Sequence, residues 1–276
     1  MRHVDRYCLF GNPVAHSKSP AIHAAFAAQT GHPIVYERRL AALDAFASTV
    51  REFIVEGGQG ANVTVPFKIE ACALADALSA RAEAAGAVNT LSFRDGVIFG
   101  DNTDGAGLVA DIVSNAQQPV AGKRVLLLGA GGAARGVILP LLGQQPAQLL
   151  IANRTRASAD ALVAQFSPQQ GHRGQLAAVT FDELDAPFDL IINATSASLA
   201  GAALPLSPRL FGSRTLALDM MYGAQPTVFM QFAARHGART RDGLGMLVEQ
   251  AAEAFLVWRG VRPETQALLA TMRAQP

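Results

Sequence analysis

The stretch that decides the fold is residues 124–134, which reads RVLLLGAGGAA. Its apolar run predicts a strand buried on both faces, and the glycine-rich turn leads into a predicted helix over 132–142. A tight turn at Gly129, a close backbone approach at Gly131 and a small residue at Ala134 are typical of a dinucleotide-binding fingerprint. We therefore predict a dinucleotide whose phosphates meet the helix N-terminus. The predicted cofactor contacts in this turn are Gly129, Ala130, Gly131, Gly132 and Ala133.

The end of the next predicted strand, 149–152, distinguishes between dinucleotides. NAD sites usually place an Asp or Glu there for the ribose 2′-hydroxyl. This chain has Asn153, Arg154, Thr155 and Arg156 instead. Two guanidinium groups suit a 2′-phosphate, which an Asp would repel, so we predict NADP. The alternative is that both arginines belong to a solvated helix start.

The remaining patterns predict an α/β fold in two domains. In the first half, the elements expected are strands over 7–10, 34–38 and 60–65, a hairpin of 88–93 with 97–99, and helices over 43–55 and within 67–85. Ser19 is predicted to cap a helix that ends before Gly31. In the second half, we expect strands over 190–194 and 216–220, helices over 105–116, 158–166, 228–236, 244–258 and 263–272, and a loop over 167–175.

The first 104 residues carry many hydroxyl, amide, Lys and Asp groups, and the glycine-rich fingerprint at Gly129 comes only after them. This order suggests a substrate domain followed by a cofactor domain. We place an N-terminal α/β substrate-binding and catalytic domain at 1–104, joined by C-terminal helices at 245–276. A Rossmann-type, doubly wound NADP-binding domain would occupy 105–244, with the active site in the cleft between the two domains.

Composition narrows the classes of function. The chain has 276 residues, half of them hydrophobic, and a formal net charge of +1. It lacks the charge excess expected for a nucleic-acid or anionic-membrane partner. No leader pattern or apolar run of about 20 residues is present, so a cytoplasmic, soluble protein is expected. Cys8 and Cys72 cannot build a disulfide framework and are interpreted as buried thiols.

Lys68 and Asp104 are the best candidates for handling a proton. The six histidines and two cysteines have no metal-ligand spacing, so a zinc-dependent mechanism is not indicated. Only three of the 23 cationic residues are lysines, and a lysine, unlike an arginine, can exchange a proton. Both candidates follow predicted strands and can meet at a strand-end crevice. The alternatives are a solvated helix residue at Lys68 and a simple helix cap at Asp104.

The chain resembles the shikimate dehydrogenase family over nearly its full length. The motifs that carry the resemblance, in the family's order, are Asn12-Pro13-x-x-His16-Ser17-x-Ser19-Pro20, Asn62-Val63-Thr64-x-Pro66-x-Lys68, Gly86-Ala87-Val88-Asn89-Thr90, Asp101-Asn102-Thr103-Asp104-Gly105, the Gly129 turn, Asn153-Arg154-Thr155, Asn193-Ala194-Thr195-Ser196 and Asp242-Gly243-Leu244-Gly245-Met246-Leu247-x-x-Gln250.

The resemblance implies interconversion of 3-dehydroshikimate and shikimate with NADP. Lys68 matches the family's catalytic lysine and Asp104 its partner, which also contacts substrate. The other implied substrate contacts are Ser17, Ser19, Thr64, Asn89, Tyr222 and Gln250. Thr195 falls in a loop near the cofactor, and Met220 and Gly243 match positions beside the nicotinamide. One departure is Ser158, where family members often carry a second Arg that Arg156 would replace here.

Some alternatives stay open at this stage. Lys68 can exchange the hydroxyl proton or, as the ammonium, stabilise a developing alkoxide. A quinate/shikimate dehydrogenase using NAD or NADP is the closest rival, and a non-catalytic NADP-binding sensor on the same fold is a different class. The expected partners are a small-molecule substrate and the cofactor, in a monomer or homodimer.

Overall fold

The computed structural model describes residues 4–167 and 175–274. The chain divides into two compact units. The first comprises Met1–Gly107 and Leu247–Gln275, and the second comprises Leu108–Met246. Each unit contains one six-stranded sheet, which gives the α/β architecture expected from the sequence.

The first unit alternates strands and short helices. Its elements are β1 (Asp5–Gly11), α1 (Ser19–Thr30), β2 (Ile34–Leu40), α2 (Phe46–Val55), β3 (Gly58–Val63), α3 (Lys68–Leu74), β4 (Ala77–Leu78), α4 (Ala80–Ala85), β5 (Thr90–Arg94) and β6 (Val97–Asp101). Then α5 (Asp104–Ala110) continues into a π-helical turn, Asp111–Asn115. The strand order is β2-β1-β3-β5-β6-β4, and only the pairings of β5 are antiparallel.

The predicted hairpin is confirmed, and its turn residues explain it. Asp95 and Gly96 both have positive φ, at 52° and 77°. Positive φ at both central residues is the requirement of a type I′ turn, whose twist matches that of the flanking strands. The hairpin brings Asp101, at the end of β6, opposite Thr90 at the start of β5.

The core of the first unit is aromatic. The ring of Phe10 on β1 meets Phe46 and Phe53 of α2 edge-on, with centroids 6.0 and 5.8 Å apart. Trp258 stacks on Tyr7 at 4.5 Å, and its indole N–H donates to the Leu91 carbonyl at 3.0 Å. This anchor lies on the C-terminal helix that carries Gln250, so it holds that part of the helix on the sheet of the first unit.

The second unit is a parallel, doubly wound sheet. Its strands and helices are β7 (Arg124–Leu128), α6 (Gly132–Gly143), β8 (Gln148–Ala152), α7 (Arg156–Phe166), β9 (Gln175–Val179), β10 (Leu190–Asn193), β11 (Leu216–Asp219), α8 (Val228–Arg235) and β12 (Arg239–Arg241). The order β12-β11-β10-β7-β8-β9, with every pairing parallel, is that of a Rossmann sheet. The chain ends with α9 (Leu244–Arg259) and α10 (Gln266–Ala274).

Several local predictions need correction. Ser19 is the first residue of α1 and does not cap it, because the preceding Lys18 already has helical dihedrals. The second helix begins at Phe46 and not at 43, since the chain first makes a turn in which the Ala45 N–H donates to the Ala42 carbonyl. Of the two cysteines predicted to be buried, Cys8 is buried and Cys72 is only half-buried.

Three strands were not predicted: β4 and β12, which have only two and three residues, and β9, whose first residue falls in the predicted loop. Most of the loop predicted over 167–175 lies outside the described residues. Within 4–167 and 175–274, no helix is long and apolar enough to cross a membrane. In the same residues, no cluster of three histidine, cysteine or acidic side chains is placed to hold a metal ion.

Candidate active site

Lys68 and Asp104 form an ion pair in the first unit. The Nζ of Lys68 lies 2.5 Å from Oδ2 of Asp104, and the two side chains are 17% and 6% exposed. Each residue opens a helix that follows a strand after a short turn: Lys68 opens α3 after β3, and Asp104 opens α5 after β6. The backbone carbonyl of Lys68 also accepts the Val88 N–H at 2.8 Å. This bond fixes the start of α3 next to the segment that leads into β5. The structure therefore brings together the two residues predicted to handle the proton.

Asn89 organises the groups around this pair. Its side-chain N–H₂ lies within hydrogen-bond distance of Oδ1 of Asp104 at 2.9 Å, the Thr103 hydroxyl at 2.9 Å and Oε1 of Gln250 at 3.2 Å. Its side-chain oxygen accepts the Thr103 N–H at 2.8 Å. Buried polar groups of this kind are fixed by such bonds, so Asn89 holds the carboxylate and Gln250 in one orientation.

A glycine makes room for Gln250. A Cβ built on Gly107 would lie only 2.5 Å from the backbone nitrogen of Gln250. The close approach of α5 to α9 within the first unit therefore depends on the missing side chain. Four predicted site residues, Lys68, Asn89, Asp104 and Gln250, thus form one connected cluster.

Ser17 and Ser19 lie together at the start of α1. Their hydroxyl oxygens are 3.1 Å apart, and the Ser17 hydroxyl accepts the Ser19 N–H at 3.2 Å. The guanidinium of Arg38 donates twice to the Ser17 carbonyl, at 2.9 and 2.5 Å. Two hydroxyls at the N-terminus of a 12-residue helix are suited to an anion, because the free N–H groups and the helix dipole favour negative charge.

Thr64 follows β3 and is half-buried. Its N–H donates to the Phe10 carbonyl at 2.9 Å, and its methyl group lies 2.5 Å from where a Cβ on Gly11 would be. Its hydroxyl makes no hydrogen bond with the described part of the chain, so it is available to a ligand. The remaining predicted substrate residue, Tyr222, is half-buried in the second unit, two positions after Met220.

The glycine turn of the second unit has the geometry of a phosphate site. Gly129 has φ of 107°, where a side chain would be strained, and an added Cβ would also crowd Ala194 and Thr195 at about 3.1–3.2 Å. A Cβ on Gly131 would meet nothing within 4 Å, so open space lies over the turn. The helix α6 then starts at Gly132, with its N-terminal N–H groups at this space.

The two arginines predicted to bind the 2′-phosphate differ in their surroundings. Arg154 is exposed and makes no hydrogen bond or ion pair within the described residues. Arg156 is paired with Asp160 and Glu183, each at 3.0 Å. Asn153 donates to the Thr155 carbonyl at 3.0 Å, which shapes the turn between β8 and α7. Arg154 is therefore the guanidinium that is free to meet an anion.

The chain segments at the ends of β10 and β11 are hydrogen-bonded to each other. The Met220 N–H donates to the Asn193 carbonyl at 3.0 Å, and the Asn193 side chain accepts both the N–H and the hydroxyl of Thr195, at 3.1 and 2.7 Å. A Cβ on Gly243 would lie 2.1 Å from the Met220 carbonyl oxygen, so only glycine fits there. These residues lie at the carboxyl ends of parallel strands, where α/β sheets bind ligands.

Comparison with known families gives three matches along the chain. Residues 9–91 match a shikimate dehydrogenase substrate binding domain, 111–201 a shikimate / quinate 5-dehydrogenase domain and 243–273 a shikimate 5′-dehydrogenase C-terminal domain. A curated relative from Herminiimonas arsenicoxydans, a shikimate dehydrogenase (NADP(+)), is 62% identical over 98% of both chains. The chain belongs to the shikimate dehydrogenase family.

Solved structures of similar proteins agree with this assignment. A crystal structure of an Ael1 enzyme from Pseudomonas putida is 45% identical and covers 97% of each chain with a TM-score of 0.89. A shikimate 5-dehydrogenase from Thermus thermophilus, in complex with NADP(H) and shikimate, is 33% identical over 98% of this chain and 99% of its own, with a TM-score of 0.86. The predictions of family and fold class are therefore confirmed.

Some residues that contact the predicted site were not predicted from the sequence. Asn62 donates to the Asn89 carbonyl at 3.2 Å and the Thr90 hydroxyl at 3.1 Å, and it accepts the Tyr36 hydroxyl at 2.7 Å. Burial raises the pKa of Tyr36 well above its usual value of 10, so the phenol stays a hydrogen-bond donor. Asn62 stood inside a quoted motif, whereas no local signal marks Tyr36, which reaches the cluster from β2.

Arg81 was not predicted as a site residue either. It donates to both oxygens of Asp101, at 2.7 and 2.8 Å, and to Glu253 of α9 at 2.8 Å. Asp101 in turn accepts the Asn102 N–H at 2.7 Å, at the start of the segment that carries Asp104. Planar, bidentate arginine pairing of this kind fixes geometry as well as charge. In the sequence, Arg81 is a single arginine in an alanine-rich helix. Such a residue cannot be distinguished from a solvent-exposed arginine by sequence alone.

Proposed function

We propose that this protein is an NADP-dependent dehydrogenase that reduces 3-dehydroshikimate to shikimate, reversibly, in the synthesis of aromatic amino acids. The observation that carries the proposal is the Lys68–Asp104 pair held by Asn89 and adjoining Gln250. The first unit would bind the substrate, and the second unit would bind the cofactor. The names of the curated relatives and the shikimate complex of the Thermus thermophilus enzyme support the same substrate.

The second unit fits NADP by three features. The open space above Gly131 accommodates a pyrophosphate, the exposed guanidinium of Arg154 suits a 2′-phosphate, and residues 153–156 contain no carboxylate. Gly129, Ala130, Gly132 and Ala133 would complete the phosphate turn, with Asn153, Thr155 and Arg156 around the adenosine ribose and Thr195, Met220 and Gly243 beside the nicotinamide. When bound, NADPH supplies the hydride.

In the direction of reduction, Lys68 would donate a proton from Nζ to the carbonyl oxygen as this oxygen becomes a hydroxyl. Asp104 orients the ammonium through Oδ2 and accepts a hydrogen bond from a neighbouring substrate hydroxyl. In the reverse direction, Lys68 takes the proton back. Positioned proton transfer of this kind contributes roughly 10²–10⁴-fold to rate.

The remaining polar groups would hold the ring. Ser17 and Ser19, at the positive end of α1, would bind the substrate carboxylate, while Thr64, Asn89 and Gln250 would contact ring hydroxyls. Tyr222, from the second unit, would contact the substrate as well. A small polyhydroxylated acid needs many neutral hydrogen-bonding groups, and this is what the cluster supplies.

An assay at 340 nm tests the proposal. The purified protein would be offered shikimate or quinate, each with NADP or NAD. We expect rapid NADPH formation with shikimate and NADP. Strong turnover of quinate with NAD would favour the quinate/shikimate alternative, and cofactor binding without turnover of either substrate would favour a sensor. The assay in cell fractions would also test the expected cytoplasmic location.

A further inference from the structure

Asp219 is a completely buried carboxylate at the end of β11 that the proposed mechanism does not use. Its Oδ2 accepts hydrogen bonds from the Asn193 amide at 3.1 Å, the Ser198 hydroxyl at 2.5 Å and the Thr227 hydroxyl at 2.7 Å. Its Oδ1 accepts the Met221 N–H at 3.0 Å. Four donors from four different segments therefore converge on one side chain.

This set of partners suits a carboxylate, because every one of them can donate. A protonated Asp must donate its own hydrogen, whereas a carboxylate only accepts. The Thr227 hydroxyl already accepts the Met230 N–H at 3.2 Å, so its hydrogen is free for Asp219. The Asn193 amide and the Met221 N–H can only donate in these bonds. Asp219 is thus the acceptor in all four bonds, which is the bonding pattern of a carboxylate.

Among the described residues, no lysine, arginine or histidine forms an ion pair with Asp219. The contrast is Asp111, the other fully buried acid of the unit, which the guanidinium of Arg241 meets with two nitrogens at 2.5 and 2.6 Å. The partners of Asp219 are all neutral. Neutral donors stabilise a charge without cancelling it, so its field extends into the surrounding protein, where it is weakly screened.

Given the proposed function, Asp219 lies in the half of the second unit's sheet that faces the nicotinamide. In a Rossmann sheet the two halves of the cofactor lie over two halves of the sheet, at the carboxyl ends of the strands. Arg154 after β8 marks the adenosine side. The nicotinamide side is then that of β10 and β11, which end at Asn193 and Asp219.

We propose that the uncompensated charge of Asp219 makes the second unit bind NADP⁺ in preference to NADPH. The nicotinamide gains one positive charge when its hydride, with two electrons, moves to the carbonyl carbon and a proton reaches the oxygen. A buried negative charge nearby attracts the cationic ring and leaves the neutral ring unaffected. The same preference moves the equilibrium on the enzyme toward NADP⁺ and shikimate.

Binding measurements on Asp219→Asn test this without turnover. Dissociation constants would be measured by calorimetry for NADP⁺, NADPH and 2′,5′-ADP, which lacks the nicotinamide. We expect the NADP⁺ constant to rise on the order of tenfold relative to the NADPH constant, with 2′,5′-ADP binding unchanged. Ser198→Ala is the matched control, because it removes a donor from the same carboxylate and keeps the charge. Its NADP⁺/NADPH ratio should equal that of the wild type.

Thr227→Ser and Thr227→Val provide a second test that keeps Asp219. Serine keeps a hydroxyl donor to the carboxylate and valine removes it, but both keep the charge, so both should keep the NADP⁺/NADPH ratio of the wild type. An unchanged ratio in folded Asp219→Asn, or an equal loss of affinity for both cofactors and 2′,5′-ADP, would overturn the inference and leave Asp219 a structural role. Wild-type protein that binds neither NADP⁺ nor NADPH would instead contradict the proposed function itself.

Discussion

At the scale of single residues, Lys68 is the side chain whose loss should slow the chemical step most. Lys68→Ala removes the only ammonium paired with Asp104 in the described structure, and we expect kcat to fall roughly 10²–10⁴-fold with a much smaller change in KM for shikimate. Steady-state rates measure both constants. Lys123→Ala is the control, because Lys123 is a half-exposed lysine of the second unit that lies 3.7 Å from Asp189. Equal kcat in the two variants would exclude Lys68 from catalysis.

Arg154 should determine the choice between NADP and NAD. A charged hydrogen bond contributes about 1.5–3 kcal/mol, so Arg154→Ala should raise KM for NADP roughly 10- to 100-fold and leave weak NAD turnover unchanged. The exposed Arg209 of the same unit offers a control, since its replacement by alanine should alter neither cofactor's KM. If the Arg154 variant used NADP as well as the wild type does, the 2′-phosphate would bind elsewhere.

His23 should make the protein sensitive to acid. The ring is completely buried and stacks on Tyr36 at 4.2 Å. Burial lowers its pKa to about 3, against 6.5 in an unfolded chain. Between these values the unfolded chain binds the proton and the native protein does not, so stability is lost as the pH falls from 6.5 toward 3.

The slope of this loss is about 1.4 kcal/mol per pH unit for one proton. Urea unfolding at pH 7 and pH 5 would measure it, with His23→Phe as the comparison because the aromatic stack is kept and the titrating group removed. The variant should lose less stability between the two pH values than the wild type does. Parallel curves for the two proteins would show that His23 is not the group that titrates.

The predicted site residues that the structure brings together share a property. Lys68, Asn89, Asp104 and Gln250 stand in short motifs whose side chains reach the site directly. Tyr36 and Arg81 act one layer further out, through Asn62 and Asp101, and their positions depend on pairing between strands distant in the chain. The spacing of hydrophobic residues along the chain does not show which polar residues will be covered by another element of the fold. For this reason the sequence predicted residues that the structure places together, such as Lys68 and Asp104, but not the residues that support them from behind.

At the scale of elements, the same reasoning explains which strands were predicted. The strand β7 is recognisable because its residues from Val125 onward are buried on both faces and apolar throughout. The three-residue β12 and the two-residue β4 are strands only because a neighbour pairs with them. A helix start depends on similarly local detail, as at Ser19, where helical dihedrals one residue earlier moved the boundary.

Two helical glycines give a prediction about the packing of elements. Gly107→Ala on α5 would place a methyl group 2.5 Å from the backbone of Gln250, so α5 and α9 must separate within the first unit. Overpacking of this kind costs about 1–3 kcal/mol, and the shift of Gln250 should also raise KM for shikimate. Gly143→Ala on α6 has open space around the new methyl and should be neutral or stabilising by up to about 1 kcal/mol.

Thermal unfolding and shikimate kinetics of the two variants measure the contrast. Comparable stability and equal KM in both would mean that α5 and α9 tolerate a wider spacing. The pair is matched because each change adds one methyl group to a helix. Only the surroundings of the methyl differ.

At the scale of the whole molecule, the two units should respond to different ligands. The predicted substrate contacts, apart from Tyr222, lie in Met1–Gly107 and Leu247–Gln275, and all predicted cofactor contacts lie in Leu108–Met246. Each unit has its own sheet and core, so ligand binding stabilises first the unit that makes the contacts. Hydrogen exchange with shikimate alone should show protection in peptides that cover residues 17–19, 64–68, 89 and 101–104.

NADP⁺ alone should instead protect peptides that cover 129–133, 153–156, 193–195 and 219–221. At a ligand concentration 100 times Kd, the linked stabilisation is about 2.7 kcal/mol, which slows exchange roughly 100-fold in amides that open with the occupied unit. 2′,5′-ADP separates the two halves of the second site, since it should protect 129–133 and 153–156 but not 219–221. Protection of the first unit by 2′,5′-ADP, or of the glycine turn by shikimate alone, would contradict the division of binding between the units.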